Sequence, residues 1–99
     1  MRFLELSDVT DKAAFMERCA VALDLPDWFG RNWDALADCL ADPGLRPGTG
    51  DGLVIVVTGW QSFADRRPRE WATARDVFTE AVRRRRGTPG ALTVALGLG

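Results

Sequence analysis

The first part of the chain changes from the two-residue period of a strand to the spacing of helices. Residues 3–6 predict a short strand. A first helix follows this strand. Proline disfavours helical geometry in the residue before it, so Leu25-Pro26 predicts the end of that first helix. Asn32 is a candidate N-cap for a second helix, running to about Asp42. The first helix is indicated by apolar residues that share one helical face: Phe15, Cys19, Ala22 and Leu23.

The second part of the chain predicts two more strands around a long helix. Residues 53–57, LVIVV, are continuous and apolar, as expected of a strand covered on both faces or lying at the sheet centre. Residues 59–65 predict a short helix or turn. Pro68 begins a long helix where its missing N–H costs nothing, Gly87 ends it, and residues 91–96 predict the last strand.

This order of elements predicts an α/β fold. Helices between successive strands favour parallel pairing by right-handed crossovers, so we expect a three-stranded parallel sheet packed with three to four helices. The 99 residues fit one domain of common size, spanning 1–99. Residues 43–52, rich in glycine and proline, predict a loop of turns.

Composition argues against several functional classes. Lys and Arg number 13 against 14 Asp and Glu, so no overall charge bias favours nucleic acid or a membrane. Histidine is absent, which weakens enzyme and metal-site hypotheses. No cofactor is indicated. The N-terminus lacks the pattern of an export signal, and there is no apolar run of membrane-spanning length, so we expect an intracellular, cytoplasmic protein.

The two cysteines, Cys19 and Cys39, predict buried, reduced thiols. They are too few for a disulfide scaffold, and no further soft ligands lie near them in the sequence to bind zinc. A glycine-rich run at 48–52 precedes a strand and lacks a Gly-Lys-Ser/Thr ending, so it does not predict a phosphate-binding loop.

The second helix carries an acidic face opposite its apolar one. At about 100° per residue, Asp34, Asp38 and Asp42 share one arc, with Ala37 and Ala41 beside them. The helix dipole favours Asp34 but not the later aspartates, and no cation stands at i±3 or i±4 from Asp38. The face therefore predicts attraction to an external cation. For Asp42, a turn-forming role before Pro43 is an equal alternative.

An aromatic pair precedes this helix. Trp28 and Phe29 are followed by Gly30, which permits backbone angles or close approaches that other residues forbid. We expect one ring to pack inward and the other to serve as an anchor beside the acidic face. Periodicity alone leaves core packing of both rings open.

Residues 25–40, LPDWFGRNWDALADCL, resemble the signature of the barstar family of ribonuclease inhibitors. The family pattern is Leu-Pro, two aromatics, then Gly-x-Asn-x-Asp-Ala-Leu-x-Asp-Cys-Leu. Weaker similarity at 56–63, 77–81 and the last strand extends the resemblance over nearly the whole chain. It implies a three-stranded parallel sheet with helices.

The resemblance also implies roles for individual residues. Asp34 and Asp38 stand where family carboxylates enter the nuclease active site and replace RNA phosphates. Trp28 matches the aromatic that packs on the enzyme, and Gly30 and Asn32 match loop contacts. Glu80 matches a further acidic contact, although the same carboxylate is also spaced to pair with Arg83 or Arg84.

Three positions depart from the family's type member. It has an acid at the position of Arg31, tryptophan at that of Ala37 and threonine at that of Ala41. A cation on the rim and a lost aromatic contact are expected to change partner choice more than mechanism.

The leading expectation is therefore a cytoplasmic inhibitor, monomeric when unbound, that occludes the cationic active site of a barnase-like ribonuclease or related nuclease. A nucleic-acid-binding or regulatory module using the run Arg83–Arg86 is the alternative. Against the alternative, cations at a helix C-terminus also complement its dipole. A catalytic or metal-binding role for the paired aspartates is disfavoured on an exposed helix face without a third oxygen ligand.

Overall fold

The computed structural model describes residues 2–41, 53–86 and 91–97. Within them the chain forms an α/β fold of one three-stranded sheet and four helices, which confirms the predicted fold class. Asp42, the loop 43–52 and Gly87 lie outside the described residues. In chain order the elements are β1 (Arg2–Glu5), α1 (Lys12–Ala22), α2 (Trp33–Ala41), β2 (Leu53–Thr58), α3 (Trp60–Arg66), α4 (Pro68–Arg85) and β3 (Leu92–Leu96).

The sheet has the order β1-β2-β3, and both strand pairs are parallel. The apolar strand predicted at 53–57 is therefore the central one. Both of its edges are hydrogen-bonded to neighbouring strands. In the register, Val57 lies between Leu4 and Leu96.

Burial alternates along the strands, so the described residues cover one face of the sheet. Leu4, Ile55 and Val57 are fully buried on the covered face. On the other face Phe3 is 62% exposed, while its neighbour Val56 in β2 is half-buried. Successive side chains of a strand point to opposite faces, which produces this pattern. The helices therefore pack against one side of the sheet.

Aromatic rings connect the helices within the core. Phe15 of α1 stacks on Phe63 of α3 at 5.3 Å between ring centroids and contacts Trp33 of α2 at 5.5 Å. Trp60 and Trp71 stack at 5.4 Å, and the Trp60 indole N–H donates to the Gly97 carbonyl at 2.8 Å. Trp71 belongs to the core, and Trp33 and Trp60 pack against it.

The second and fourth helices lie side by side, which sets the position of the acidic helix. The buried Arg85 of α4 donates a hydrogen bond to the Leu40 carbonyl of α2 at 3.2 Å. The two cysteines are buried and form no disulfide, in agreement with the prediction. Burial raises the pKa of the Cys19 thiol, which keeps that group neutral.

Candidate functional site

The two neighbouring aromatics in the loop before α2 point in opposite directions. Phe29 is 3% exposed and belongs to the hydrophobic core, whereas Trp28 is 71% exposed. The Phe29 N–H donates to the Pro26 carbonyl at 3.0 Å, which closes a tight turn around Trp28. The structure thus decides between the alternatives left by periodicity. Phe29 anchors the loop from inside, and Trp28 is the ring available to a partner.

Arg31 fixes this loop to the first helix. Its guanidinium forms an ion pair with Glu17 of α1, donates to the Phe29 carbonyl at 3.0 Å and lies 5.9 Å from the centroid of the Phe29 ring. The backbone of Arg31 has a φ of 54°, an uncommon left-handed conformation for a residue other than glycine. Arg31 therefore has partners within the chain, while about half of its side chain stays exposed.

Asn32 is the N-cap of α2, as predicted. Its Oδ1 accepts a hydrogen bond from the Ala35 N–H at 2.7 Å, which satisfies one of the unpaired donors at the start of the helix. Its Nδ2 donates to the Gly30 carbonyl at 3.4 Å. A Cβ at Gly30 would approach that Nδ2 to 3.2 Å, so glycine permits the close turn into the helix.

The acidic face of α2 consists, among described residues, of Asp34 and Asp38. Both are exposed, and neither side chain forms a hydrogen bond or an ion pair with any other described residue. The opposite face of the helix packs into the protein through the buried Leu36, Cys39 and Leu40. The two carboxylates are therefore carried on a packed helix while their oxygens remain accessible.

Small side chains border the acidic face. Ala37 and Ala41, one turn apart on the same helix, are both half-buried. Alanine has no flexible group that could cover the neighbouring carboxylates. Among the described residues, Ala37 and Ala41 therefore place only methyl groups beside the two aspartates.

Glu80 differs from the aspartates of the acidic face. Its two carboxylate oxygens accept hydrogen bonds from Arg83 at 2.9 Å and from Arg84 at 3.3 Å. The sequence left two options for this residue, and the structure shows the internal pairing at i+3 and i+4. A partner cation would have to compete with two arginines of the same helix.

The same contacts divide the arginine run. Arg83 and Arg84 are paired with Glu80, and Arg85 is buried against α2. Only Arg86 of the four is exposed with a side chain that no described residue pairs. The run therefore does not present four cations to a nucleic acid, and the alternative hypothesis is not favoured.

A metal-binding cluster was not expected from the sequence. Within 2–41, 53–86 and 91–97, no three cysteine or acidic side chains converge on a common point. No helix in that part of the chain is long and apolar enough to cross a membrane.

Sequence reasoning missed the role of Glu17. It lies 14 residues from Arg31, on a different element, and no local period connects them. A signal for the pair was absent because each residue by itself is an ordinary exposed charge.

The chain was compared with curated proteins and with protein-family models. A search of curated proteins finds no match to the chain. The family model described as Barstar (barnase inhibitor) matches residues 1–97, including the loop, the acidic helix and all three strands. That extent is essentially the full length. The chain therefore belongs to the barstar family of protein inhibitors, which bind barnase-type ribonucleases.

Proposed function

We propose that this protein inhibits a barnase-type ribonuclease by placing the acidic face of α2 in the enzyme's active site. The observation that carries the proposal is the pair of exposed carboxylates, Asp34 and Asp38, without partners among the described residues. A ribonuclease holds RNA phosphates with cationic side chains. Carboxylates satisfy the same donors through charge-assisted hydrogen bonds, so they compete with the substrate.

The inhibitor needs no covalent chemistry under this proposal. The helix is fixed by its buried residues and by the Asn32 cap, so little conformational entropy is lost when the carboxylates bind. Substrate would be excluded by occupancy alone. An interface of standard size, about 1,600 Å² in total, is sufficient for a stable complex.

Trp28 is the proposed apolar anchor of the complex. Its ring is exposed, while Phe29 and Arg31 hold the backbone on which it stands. Large aromatic side chains beside charged groups dominate the binding energy of many interfaces. Gly30 and Asn32 would contact the partner through the loop, and Ala37 and Ala41 would let the enzyme surface approach the helix closely.

Glu80 is proposed as a minor contact. Its carboxylate would exchange one internal arginine for a cation of the enzyme, so the net gain is smaller than for Asp38. Ala37 and Ala41, in place of larger side chains, are proposed to select which nucleases fit. The proposal places the inhibitor in the cytoplasm of the cell that makes the nuclease, as a monomer that binds one enzyme molecule.

The decisive experiment compares Asp38→Ala with Asp65→Ala. Asp65 is an exposed aspartate of α3 with no hydrogen bond or ion pair to another described residue, so it is a matched control outside the acidic face. Inhibition and binding of a purified barnase-type ribonuclease are measured for both variants. Asp38→Ala is expected to weaken binding by about 30-fold or more, because a hot-spot residue contributes about 2 kcal/mol or more.

Stability must be measured alongside binding. Both substitutions remove exposed groups, so each should change the free energy of unfolding by less than about 0.5 kcal/mol. Equal binding by wild type, Asp38→Ala and an Asp34→Ala/Asp38→Ala double variant would contradict the proposal. So would a large stability loss in Asp38→Ala with inhibition unchanged.

A further inference from the structure

The helices cover the third strand of the sheet less well than the other two. Leu4 in β1 and Val57 in β2 are fully buried on the face that the helices cover. On the same face of β3, Leu92 is 3% exposed, Val94 is half-buried and Leu96 is 42% exposed. The covered face is therefore open toward the end of β3.

A cleft lies over this open part of the sheet, between α4 and β3. Its volume is about 280 Å³, and the buried Trp71 and Phe78 of α4 form its floor. Of the sheet, Val94 and Leu96 line it, and both belong to the edge strand. No described residue of the central strand contributes to the lining, so the cleft lies at the outer side of β3.

The outer edge of β3 carries backbone groups that no described residue pairs. The Gly97 N–H donates to the Val57 carbonyl of β2 at 2.8 Å, so the backbone of Gly97 bonds toward the sheet. The direction of the backbone groups alternates from one residue of a strand to the next. The N–H and C=O groups of Val94 and Leu96 consequently point away from β2. Such an edge can accept an extended segment as an additional strand.

Positive charge borders the cleft. Arg75 and Arg86 line it, are exposed and form no hydrogen bond or ion pair with a described residue, while Arg83 is shared with Glu80. No acidic side chain of the described ranges lines the cleft. From Arg75 to Arg86 the helix rises about 16 Å, at about 1.5 Å per residue. About five residues of extended chain have the same length, so the charges suit a strand and not one small anion.

We propose that the outer edge of β3 binds an extended segment of another protein, in which apolar and acidic side chains share one face. The segment would pair with the outward backbone groups of Val94 and Leu96 as a fourth strand. An apolar side chain would fill the cleft over Trp71 and Phe78. Acidic side chains two residues before and after it would lie near the arginines of α4.

A second copy of this chain is disfavoured as the occupant. Two copies paired through β3 about a twofold axis would bring their α4 arginines to the same side of the joined sheet. Like charges at a strand edge oppose the pairing of identical edges. The acidic face of α2 is helical, so it does not supply an extended acidic segment either. The charge at the edge therefore favours a different, acidic partner.

This surface is separate from the proposed nuclease-binding surface. Its residues come from α4 and β3, whereas the nuclease is proposed to contact mainly α2 and the loop before it. Glu80, the proposed minor contact, pairs with Arg83, so Arg83 is left unchanged in the test. Failure of one proposal therefore leaves the other intact.

The experiment titrates the full ¹⁵N-labelled chain with the peptide acetyl-GETVTEG-amide. In the extended form its valine and both glutamates lie on one face. Acetyl-GQTVTQG-amide is the neutral probe of the same shape. NMR follows the backbone amide shifts, and hydrogen exchange measures the protection of the Val94 and Leu96 amides.

Two pairs of variants test the charge and the strand edge. Arg75→Gln/Arg86→Gln removes the unpaired cations of the cleft, and Arg66→Gln/Arg69→Gln removes two exposed arginines that do not line it. Leu96→Pro removes an outward N–H, a change that an edge strand tolerates. Leu96→Val keeps this N–H with a smaller side chain and is its control.

The acidic peptide is expected to cause saturable shifts in α4 and β3 and slower exchange of the Val94 and Leu96 amides. Affinity should fall about fivefold or more with the neutral peptide and in Arg75→Gln/Arg86→Gln, because two exposed ion pairs are lost. Leu96→Pro should lose at least as much. Arg66→Gln/Arg69→Gln and Leu96→Val should stay within about threefold of wild type.

The absence of a saturable shift at millimolar peptide overturns the proposal, and so do shifts without added protection of both β3 amides. Equal binding of the neutral peptide, or by Leu96→Pro with an unchanged fold, also overturns it. If Leu96→Pro does not fold, the amide protection and the arginine variants decide. Sedimentation of the unbound chain tests the second copy, and a dimer whose β3 amides are protected would overturn the assignment to another protein.

Discussion

Two groups of carboxylates in this protein have opposite surroundings. At the carboxyl end of β1, Glu5 accepts hydrogen bonds from the Ser7 N–H and the Thr58 hydroxyl, each at 2.7 Å. Nearby, Asp8 is paired with Arg18 at 2.9 Å. On α2, Asp34 and Asp38 have no such contacts among the described residues. All four side chains are acidic and accessible, so residue type alone does not separate them.

The difference separates carboxylates that contact the rest of the fold from the carboxylates that are proposed to contact a partner. The hydrogen bonds of Ser7 and Thr58, with the charge of Arg18, lower the pKa of Glu5 to about 2. Packing there is also tight, because a Cβ at Gly59 would lie 2.6 Å from the Ser7 backbone nitrogen. No described residue holds the α2 carboxylates in a comparable way.

The largest effect is expected from removing the rings of the adjacent aromatics Trp28 and Phe29 one at a time. Phe29→Ala removes a core ring and should lower the free energy of unfolding by about 3–5 kcal/mol. Trp28→Ala removes an exposed ring, so it should leave stability nearly unchanged while weakening nuclease binding by about 2 kcal/mol. Chemical denaturation and a binding titration measure the two effects. Similar stability losses in both variants would contradict this separation.

A smaller effect is expected from the contact between Arg31 and Glu17. Both side chains are about half exposed, so the ion pair should contribute about 0.2–1 kcal/mol to stability. Arg31→Gln and Glu17→Gln should each loosen the loop and weaken nuclease binding to a similar extent. A double-mutant cycle checks whether the two losses are coupled. If only Arg31→Gln changes binding, the cation acts on the partner directly.

The contacts of Glu5 should appear in the pH dependence of stability. The folded pKa of about 2 lies below the ordinary value of 4.5, so this stabilisation is present above pH 4.5 and is lost as the pH falls through 2. Glu5→Gln should therefore have a lower Tm than wild type at neutral pH. The gap should narrow between about pH 4.5 and 2. A constant gap over that interval, measured by thermal melts, would show that the carboxylate charge is not responsible.

The smallest effect is expected at Glu80. Glu80→Gln removes i,i+3 and i,i+4 ion pairs, each contributing about 0.2–0.5 kcal/mol on an exposed helix. Its effect on nuclease binding should be well below that of Asp38→Ala. A binding loss as large as that of Asp38→Ala would place Glu80 with the α2 aspartates and not with the internally paired carboxylates.

The elements of the fold were predictable because their signals are local. Asn32 caps the helix that its position indicates, and Pro68 begins α4. The apolar run at 53–57 forms a strand. Caps, periodicity and proline geometry involve residues within about four positions of each other, so the chain order alone carries them. The exposure of Asp34 and Asp38 follows in the same way from their place on the helix.

Contacts between distant residues were decided only by the tertiary structure. Adjacent aromatics gave no local reason for Phe29 to point inward and Trp28 outward. Glu5 meets Thr58 across 53 residues, and Arg31 meets Glu17 on another helix. The cleft lined by Arg75 and Val94 also exists only where α4 packs beside β3. The sequence by itself determined which groups are acidic, aromatic or cationic, and the packing of elements decided which of them find partners inside the chain, because those distances depend on the whole fold.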